Sequence, residues 1–280
     1  MGIIKEYSFR DWTEFKSLFA ERLQLDANPA NVGKPLSRGD FLFRGQEDSD
    51  WHLETSFSRK FGGSPTGKYD PDQTYKALLG GFRRVCKPIK EDEIINLKEI
   101  IDIDYELAAL GQHYGLPSQL LDWTESPYIA AFFAFRFALA NLAKISYLQI
   151  RSETKNVAIW ALDSTNNHYW QRVEEITTTP KTGGNEILVV RADPRHNDRL
   201  HSQLGWFTAP DKIYEPLDEH VQKFGPASTI VLWKFLIPLR EVIHVMADLS
   251  LMGIDSTQMY GRHEGRALGA LDNTIIRCLI

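Results

Sequence analysis

Arg44 ends a short apolar run, Phe41-Leu42-Phe43, and is followed by Gly45 and Gln46. A guanidinium in such surroundings needs an anionic or carbonyl partner, and a glycine beside it lets another group approach the backbone. A structural ion pair would satisfy the arginine equally well. Far along the chain, Gln112, His113, Tyr114, Asp122, Trp123 and Thr124 gather hydrogen-bonding and aromatic groups around turns between two helices. Loops held by rigid elements are where sites tend to be built. His113 alone fits an interhelical hydrogen bond, and Asp122 alone fits an N-cap or an Asx turn. Together with Arg44 they predict one polar cleft, lined by Phe43-Arg44-Gly45 and by residues 112 to 124. Such a cleft would hold a nucleotide, a nucleic-acid end or a partner peptide through Arg44, or use His113 and Asp122 for hydrolysis.

Other chemistries lack their signatures. No G-x-G-x-x-G follows a strand, and neither G-x-x-x-x-G-K-[ST] nor H-E-x-x-H occurs, which argues against dinucleotide-fold, phosphate-loop and zincin chemistry. His196, His201, His220, His244 and His263 show no metal-ligand spacing with cysteine, so no metal site is expected. Arg83-Arg84 and the set Arg191, Arg195 and Arg199 have acidic residues among them and read as solvated faces.

The elements that must position these residues can be read from periodicity. Ser8 caps a predicted helix over 8–25, with Phe9, Trp12, Phe15, Phe19 and Leu23 at helical spacing and Asp11 three residues on as in a capping box. Residues 26–40 carry Asn-Pro, Gly-Lys-Pro and Arg-Gly-Asp and read as loop. Phe41-Leu42-Phe43 is a buried strand, and Trp51, Leu53 and Thr55 alternate with polar neighbours as a second strand would. A flexible loop follows Phe61. Helices are predicted from about Asp72 to Cys86 and from about Glu91 to Leu110, the latter stopped by Gly115-Leu116-Pro117. Ser126-Pro127 offers an N-cap and a first-turn proline for a helix over 128–142 that is apolar on nearly every side and so belongs in the core. Strands are expected at 157–162, 187–190, 229–237 and 274–279, with a helix over 239–252.

The chain has 280 residues, 43% of them hydrophobic, enough to bury a large core. No composition break or repeat divides it, so one α+β domain with helical elaborations is expected over 1–280. Cys86 and Cys278 are too few and too far apart for a disulfide framework. No apolar run approaches the roughly 20 residues that span a bilayer, and the start lacks a signal-peptide pattern, so a cytoplasmic protein without membrane partners is expected. A formal net charge of -5 argues against broad electrostatic adhesion to nucleic acid.

Several segments resemble one family. Phe43-Arg44-Gly45-Gln46, the run Trp51 to Arg59, Gly111-Gln112-His113-Tyr114-Gly115-Leu116-Pro117, Leu120 to Pro127 and Ala130 to Ala134 are similar to the FRG domain, named for its (Phe/Tyr)-Arg-Gly motif. Arg199 to Phe207, with Gln203 and Gly205, resembles its Arg-x-x-x-Gln-x-Gly-x-Phe segment, and the resemblance runs from about Phe41 to Leu271. Thr55 and Ser118 stand where the family often has proline and threonine.

A more distant resemblance, to the arginine-type ADP-ribosyltransferases, implies a split mixed and antiparallel sheet, NAD as substrate and a catalytic glutamate. By that likeness Arg44, Tyr114, Asp122, Thr124 and Gln203 are the expected catalytic residues. Phe43, Gly45, Gln46, Arg59, Gln112, His113, Trp123, Ser126 and Phe207 would bind NAD. Arg44 would hold the phosphates and Tyr114 or Trp123 would stack on the nicotinamide. Gln203 occupies the place of the expected glutamate, leaving Asp122, Glu125 or Glu54 to support positive charge on the ribose. The resemblance further implies a toxin or antiphage effector that modifies RNA, DNA or protein, with a neutralising antitoxin as partner.

Overall fold

The computed structural model describes residues 2–20, 39–62, 70–86, 104–142, 149–150, 152–164, 170–173, 187–191, 202–210, 214–225 and 230–279. The loop expected over 26–38, the parts of the expected helices at 21–25 and 91–103, and the loop expected after Phe61 from residue 63 onward lie outside these. The strands are β1 (Ile3–Ser8), β2 (Phe41–Gln46), β3 (Leu121–Thr124), β4 (Asn156–Asp163), β5 (Trp170–Val173), β6 (Ile187–Val190), β7 (Gly205–Pro210) and β8 (Ile230–Pro238). They form one eight-stranded mixed sheet in the order β1-β8-β4-β2-β3-β7-β6-β5, parallel at β1-β8 and β5-β6 and antiparallel elsewhere. The α+β class is thus as the sequence predicts. Among the described residues no helix is long and apolar enough to cross a membrane.

The sheet has a seam. β2 pairs with β4 along its whole length, from Phe41↔Asp163 to Gln46↔Ala158, but meets β3 only at Phe43↔Thr124. Beyond that bridge the strands part, leaving β1-β8-β4-β2 on one side and β3-β7-β6-β5 on the other.

Alternation along β2 decides what each face receives. Phe41 and Phe43 enter a core with α5 (Pro127–Leu142), while Leu42 joins Leu53, Trp160 and Leu232 on the opposite face. Gly45 falls on the Phe43 side. A Cβ built there would sit 2.0 Å from the Ala130 carbonyl oxygen and 2.8 Å from the Ala134 nitrogen. The group whose close approach this glycine allows is therefore the backbone of α5.

Helix α5 begins as its sequence says it should, with Ser126 Oγ accepting from the Ile129 N–H at 3.3 Å and Pro127 in the first position. Being apolar all round, it is covered by the sheet on one side and by α7 (Val242–Leu251) and α9 (Arg262–Leu279) on the other. Its one charge, Arg136, is buried and paired at 3.3 Å with the buried Asp272 of α9, which also accepts from Ser256 Oγ of α8 (Ser256–Tyr260). Helices α3 (Pro71–Cys86) and α4 (Asp104–His113) cover the other half of the sheet through Leu79, Ala108, Ala109 and Phe207.

Three of the expected segments take other forms. Ser8 ends β1, where it pairs with Leu236, and Asp11 caps α1 (Trp12–Ala20) by accepting from the Glu14 N–H at 2.9 Å. Local spacing suggested a helix from Ser8, but a distant strand claims the residues before it. Residues 51–55 form no strand, since Leu53 bonds to Asp218 and Leu217 of α6 (Leu217–Phe224), the Glu54 N–H turns back to the His52 carbonyl oxygen, and Thr55 caps α2 (Ser56–Phe61). Residues 274–279 are the end of α9, where the buried Ile275 and Leu279 sit one helical turn apart and override the strand preference of the isoleucines.

Candidate active site

Where β2 and β3 part, a cleft of about 970 Å³ opens. Arg44, from the last part of β2, crosses the seam. Its Nη1 donates to the Asp122 carbonyl oxygen at 2.9 Å and lies 3.6 Å from the Asp122 carboxylate. The arginine thus bonds a β3 carbonyl just where the ladder lapses. Gln112, from the last turn of α4, donates its Nε2 to Asp122 Oδ1 at 2.6 Å. Arg44, Gln112 and Asp122 form one connected group on three elements, although 78 residues separate Arg44 from Asp122.

The electrostatics follow from this enclosure. Withdrawal of Arg44 from water weighs against its charge, Asp122 compensates, and nearby Arg59 weighs against it further. The Asp122 carboxyl is pushed up by the protein around it and pulled back by Arg44. Its side chain nevertheless keeps 61% of its surface accessible, as a group on the wall of a concave site does. Among the described residues, two polar atoms in this cluster have no partner although they are shut off from water, Arg44 Nε and Gln112 Oε1. One is a donor and the other an acceptor, and buried polar groups are rarely left so.

Most of the predicted residues line this cleft: Arg44, Phe43, Gly45, Gln46, Arg59, Gln112, His113, Asp122, Trp123, Thr124, Gln203 and Phe207. Tyr114 and Ser126 do not. Tyr114 is three-quarters exposed beyond the end of α4, and Ser126 caps α5. Trp123 is 2% exposed with its indole N–H donated to Thr208 Oγ1 at 3.0 Å, so its ring is committed to the core and is not available for stacking. Glu125 accepts from the Trp206 indole at 2.9 Å and stays out of the lining, which leaves Asp122 and Glu54 of the three acids considered.

Gln203 lies in the turn before β7, not on a strand, next to Leu204 at φ 52°. Its Nε2 donates to the Met259 carbonyl oxygen of α8 at 2.9 Å. A carboxylate there would face that oxygen without a proton to offer. Gln203→Glu is therefore expected to lower stability by about 1–3 kcal/mol in denaturant unfolding and to raise no activity.

Sequence reasoning missed other lining groups. Phe133 and Phe137 of α5 and Tyr260 of α8 form an aromatic wall, with Phe133 edge-on to Tyr260 at 6.0 Å between centroids. Arg136 lies over the Tyr260 ring at 5.3 Å. The helical phase of α5 could have indicated Phe133 and Phe137, but nothing local points to Tyr260. His52 also lines the cleft, within a run quoted for its family likeness but assigned no role. Among the described residues no three His, Cys, Asp or Glu side chains converge as a metal site requires.

No curated protein and no solved structure shows significant similarity to the chain. The model of the FRG domain matches residues 39–141. That span holds β2 with Arg44, α4 with Gln112, β3 with Asp122, and α5, hence the whole polar cluster at the seam and the helix that Gly45 admits. The constellation built around Phe43-Arg44-Gly45 accordingly lies within the stretch, residues 39–141, that is similar to the FRG domain.

Proposed function

We propose that the cleft binds NAD and that the chain acts as an ADP-ribosyltransferase-like effector, transferring ADP-ribose to a macromolecular acceptor, nucleic acid or protein. The supporting observation is that two guanidiniums, Arg44 and Arg59, line one cleft, with Arg59 weighing against the Arg44 charge after burial and the compensation by Asp122. Like charges confined in this way favour an anion between them, and a pyrophosphate suits two guanidiniums.

The same wall carries Asp122 and Glu54. NAD presents a pyrophosphate and a positively charged pyridinium ring, so a pocket of both signs fits it better than a purely basic one would. The wall of Phe133, Phe137 and Tyr260 offers a face for a flat ring. Cleaving the nicotinamide–ribose bond builds positive charge on the ribose, which Asp122 is placed to offset once the phosphates are held still. In this reading the effector acts as a toxin that depletes NAD or blocks its macromolecular target, the setting for a neutralising antitoxin.

Calorimetry with NAD up to millimolar concentration, followed by mass spectrometry for free nicotinamide, tests the reading. A saturable one-to-one isotherm, a melting temperature that rises with NAD by mass action, and nicotinamide release are expected. Absence of binding at millimolar NAD would overturn it in favour of a non-enzymatic binding module.

A further inference from the structure

Asp218 is a carboxylate buried in the first turn of α6, and it spends both oxygens on one dipeptide. Oδ1 accepts from the Leu53 N–H at 2.8 Å and Oδ2 meets His52 Nδ1 at 2.7 Å. The His52 carbonyl oxygen is fixed too, accepting from Gln46 Nε2 at 2.9 Å and from the Glu54 N–H at 2.9 Å. Gln46 in turn accepts from the Trp160 indole at 2.7 Å. An ordinary exposed ion pair leaves both partners in water, but here the acid is 8% exposed while the imidazole keeps 58% of its surface open and lines the cleft. With a carboxylate on Nδ1, that nitrogen carries the proton and Nε2 presents its lone pair. Among the described residues no group bonds Nε2.

We propose that His52 is the general base of this site, oriented by Asp218, and that it deprotonates the acceptor entering beside residues 51–54. The assignment rests on the NAD reading. In the step, the acceptor hydroxyl gives its proton to His52 Nε2 while its oxygen bonds to ribose C1′. The C1′–N bond breaks with its electron pair passing to the pyridine nitrogen, so nicotinamide leaves neutral. The imidazolium, stabilised by Asp218, then returns the proton to solvent. The reaction needs no other reactant, and with water as acceptor it is hydrolysis of NAD.

The groups around the ring set its pH response. Asp218 and Glu219, 3.9 Å away, face it from α6, and Lys234 of β8 opposes them. The hydrogen bond to Asp218 is the largest influence and holds the imidazole pKa above its ordinary value. The base is the neutral form, present above that raised pKa, so turnover should fall as pH drops through it.

Asp218→Asn tests this with little change of shape. The amide oxygen can still accept from the Leu53 N–H, but the amide nitrogen donates to Nδ1 and forces the proton onto Nε2. Nicotinamide release with water as acceptor is expected to slow about 10²-fold, with the NAD Kd within about twofold of wild type by calorimetry. The acid limb of the kcat profile should move to lower pH. His52→Gln should lose rate to the same extent and lose the acid limb altogether. Wild-type turnover by Asp218→Asn, or a loss that tracks only the folded fraction by circular dichroism, would overturn the assignment while NAD binding stands. Loss of rate with an unmoved pH profile would reduce Asp218 to a structural support and overturn it equally. If the wild type fails to bind NAD, the reading it rests on falls and the assignment falls with it.

Discussion

Arg44→Ala is expected to weaken NAD binding by about 10²-fold and so to cut the NAD-induced stabilisation seen in thermal melts by up to about 2.7 kcal/mol at saturating NAD. Charge-assisted contacts are worth about 1.5–3 kcal/mol each, and every 1.4 kcal/mol is tenfold in affinity. Arg44 brings its guanidinium to the seam and lines the cleft. The apo protein pays less, because removing a charge that burial already disfavours offsets part of the loss. What remains is the Asp122 carbonyl oxygen left without its donor, about 1–3 kcal/mol and a few degrees of melting temperature. Arg44→Lys separates the effects, since it keeps a charge but cannot reach a phosphate and the Asp122 carbonyl with one rigid fork. It should bind NAD with intermediate affinity. Isothermal calorimetry and thermal melts on the three proteins check this, and equal NAD affinity in all of them would remove Arg44 from the site.

Gly45→Ala should be the most damaging single change in the motif, and for a reason unrelated to ligand. The added methyl would lie 2.0 Å from the Ala130 oxygen and 2.8 Å from the Ala134 nitrogen, both backbone atoms of a helix whose Ala130, Ala131 and Ala134 are buried in the core. Neither can swing away as the tip of a side chain could. Either β2 leaves its ladder with β4 or α5 retreats from the sheet, and both empty the core around Phe43 and Phe132. A cost of about 3 kcal/mol or more is expected, with a fall of roughly 10 °C in melting temperature. Gly80→Ala in α3 supplies the opposite sign. Its methyl would meet only Arg84 Nη1 at 3.9 Å, so relief of the glycine's unfolded-state entropy should stabilise the protein by about 0.5–1 kcal/mol. Thermal melts of both variants decide whether the motif's glycine is there for packing.

What could be read from the residues alone was what the residues settle locally. Ser126 and Pro127 announced α5, its uniform apolarity announced burial, and Phe41 to Phe43 announced a central strand. That Arg44 and the 112–124 segment share a wall was legible because a polar cluster between apolar elements must face an opening. β3 was hidden, since Leu121 to Thr124 is too short to show alternation and takes its extended form from β7 on its far side. The end of α9 was misread because two isoleucines favour strands until a helix face claims them. His52 and Asp218 stayed invisible for another reason. Each is an ordinary polar residue, and only the docking of α6 against residues 51–55 brings them together.

The connectivity of the sheet has a consequence in time. Ile3 waits for Ile230, Phe41 for Asp163 and Leu121 for Thr208, so most of the ladder, outside the β5-β6 and β6-β7 pairs, joins residues far apart in sequence. Chains with such distant pairings fold slowly, because closure of long loops precedes any reward from the contacts. The span 39–141 contains the whole Arg44 cluster, yet its two strands share a single bridge, and every strand that would hold their other edges lies after it. While the ribosome makes the first half, β2 and β3 are sticky edges beside an apolar helix with nothing to cover them. The residues that define the site are thus finished early and positioned last, and the chain gains its cleft only when β7 and β8 have arrived.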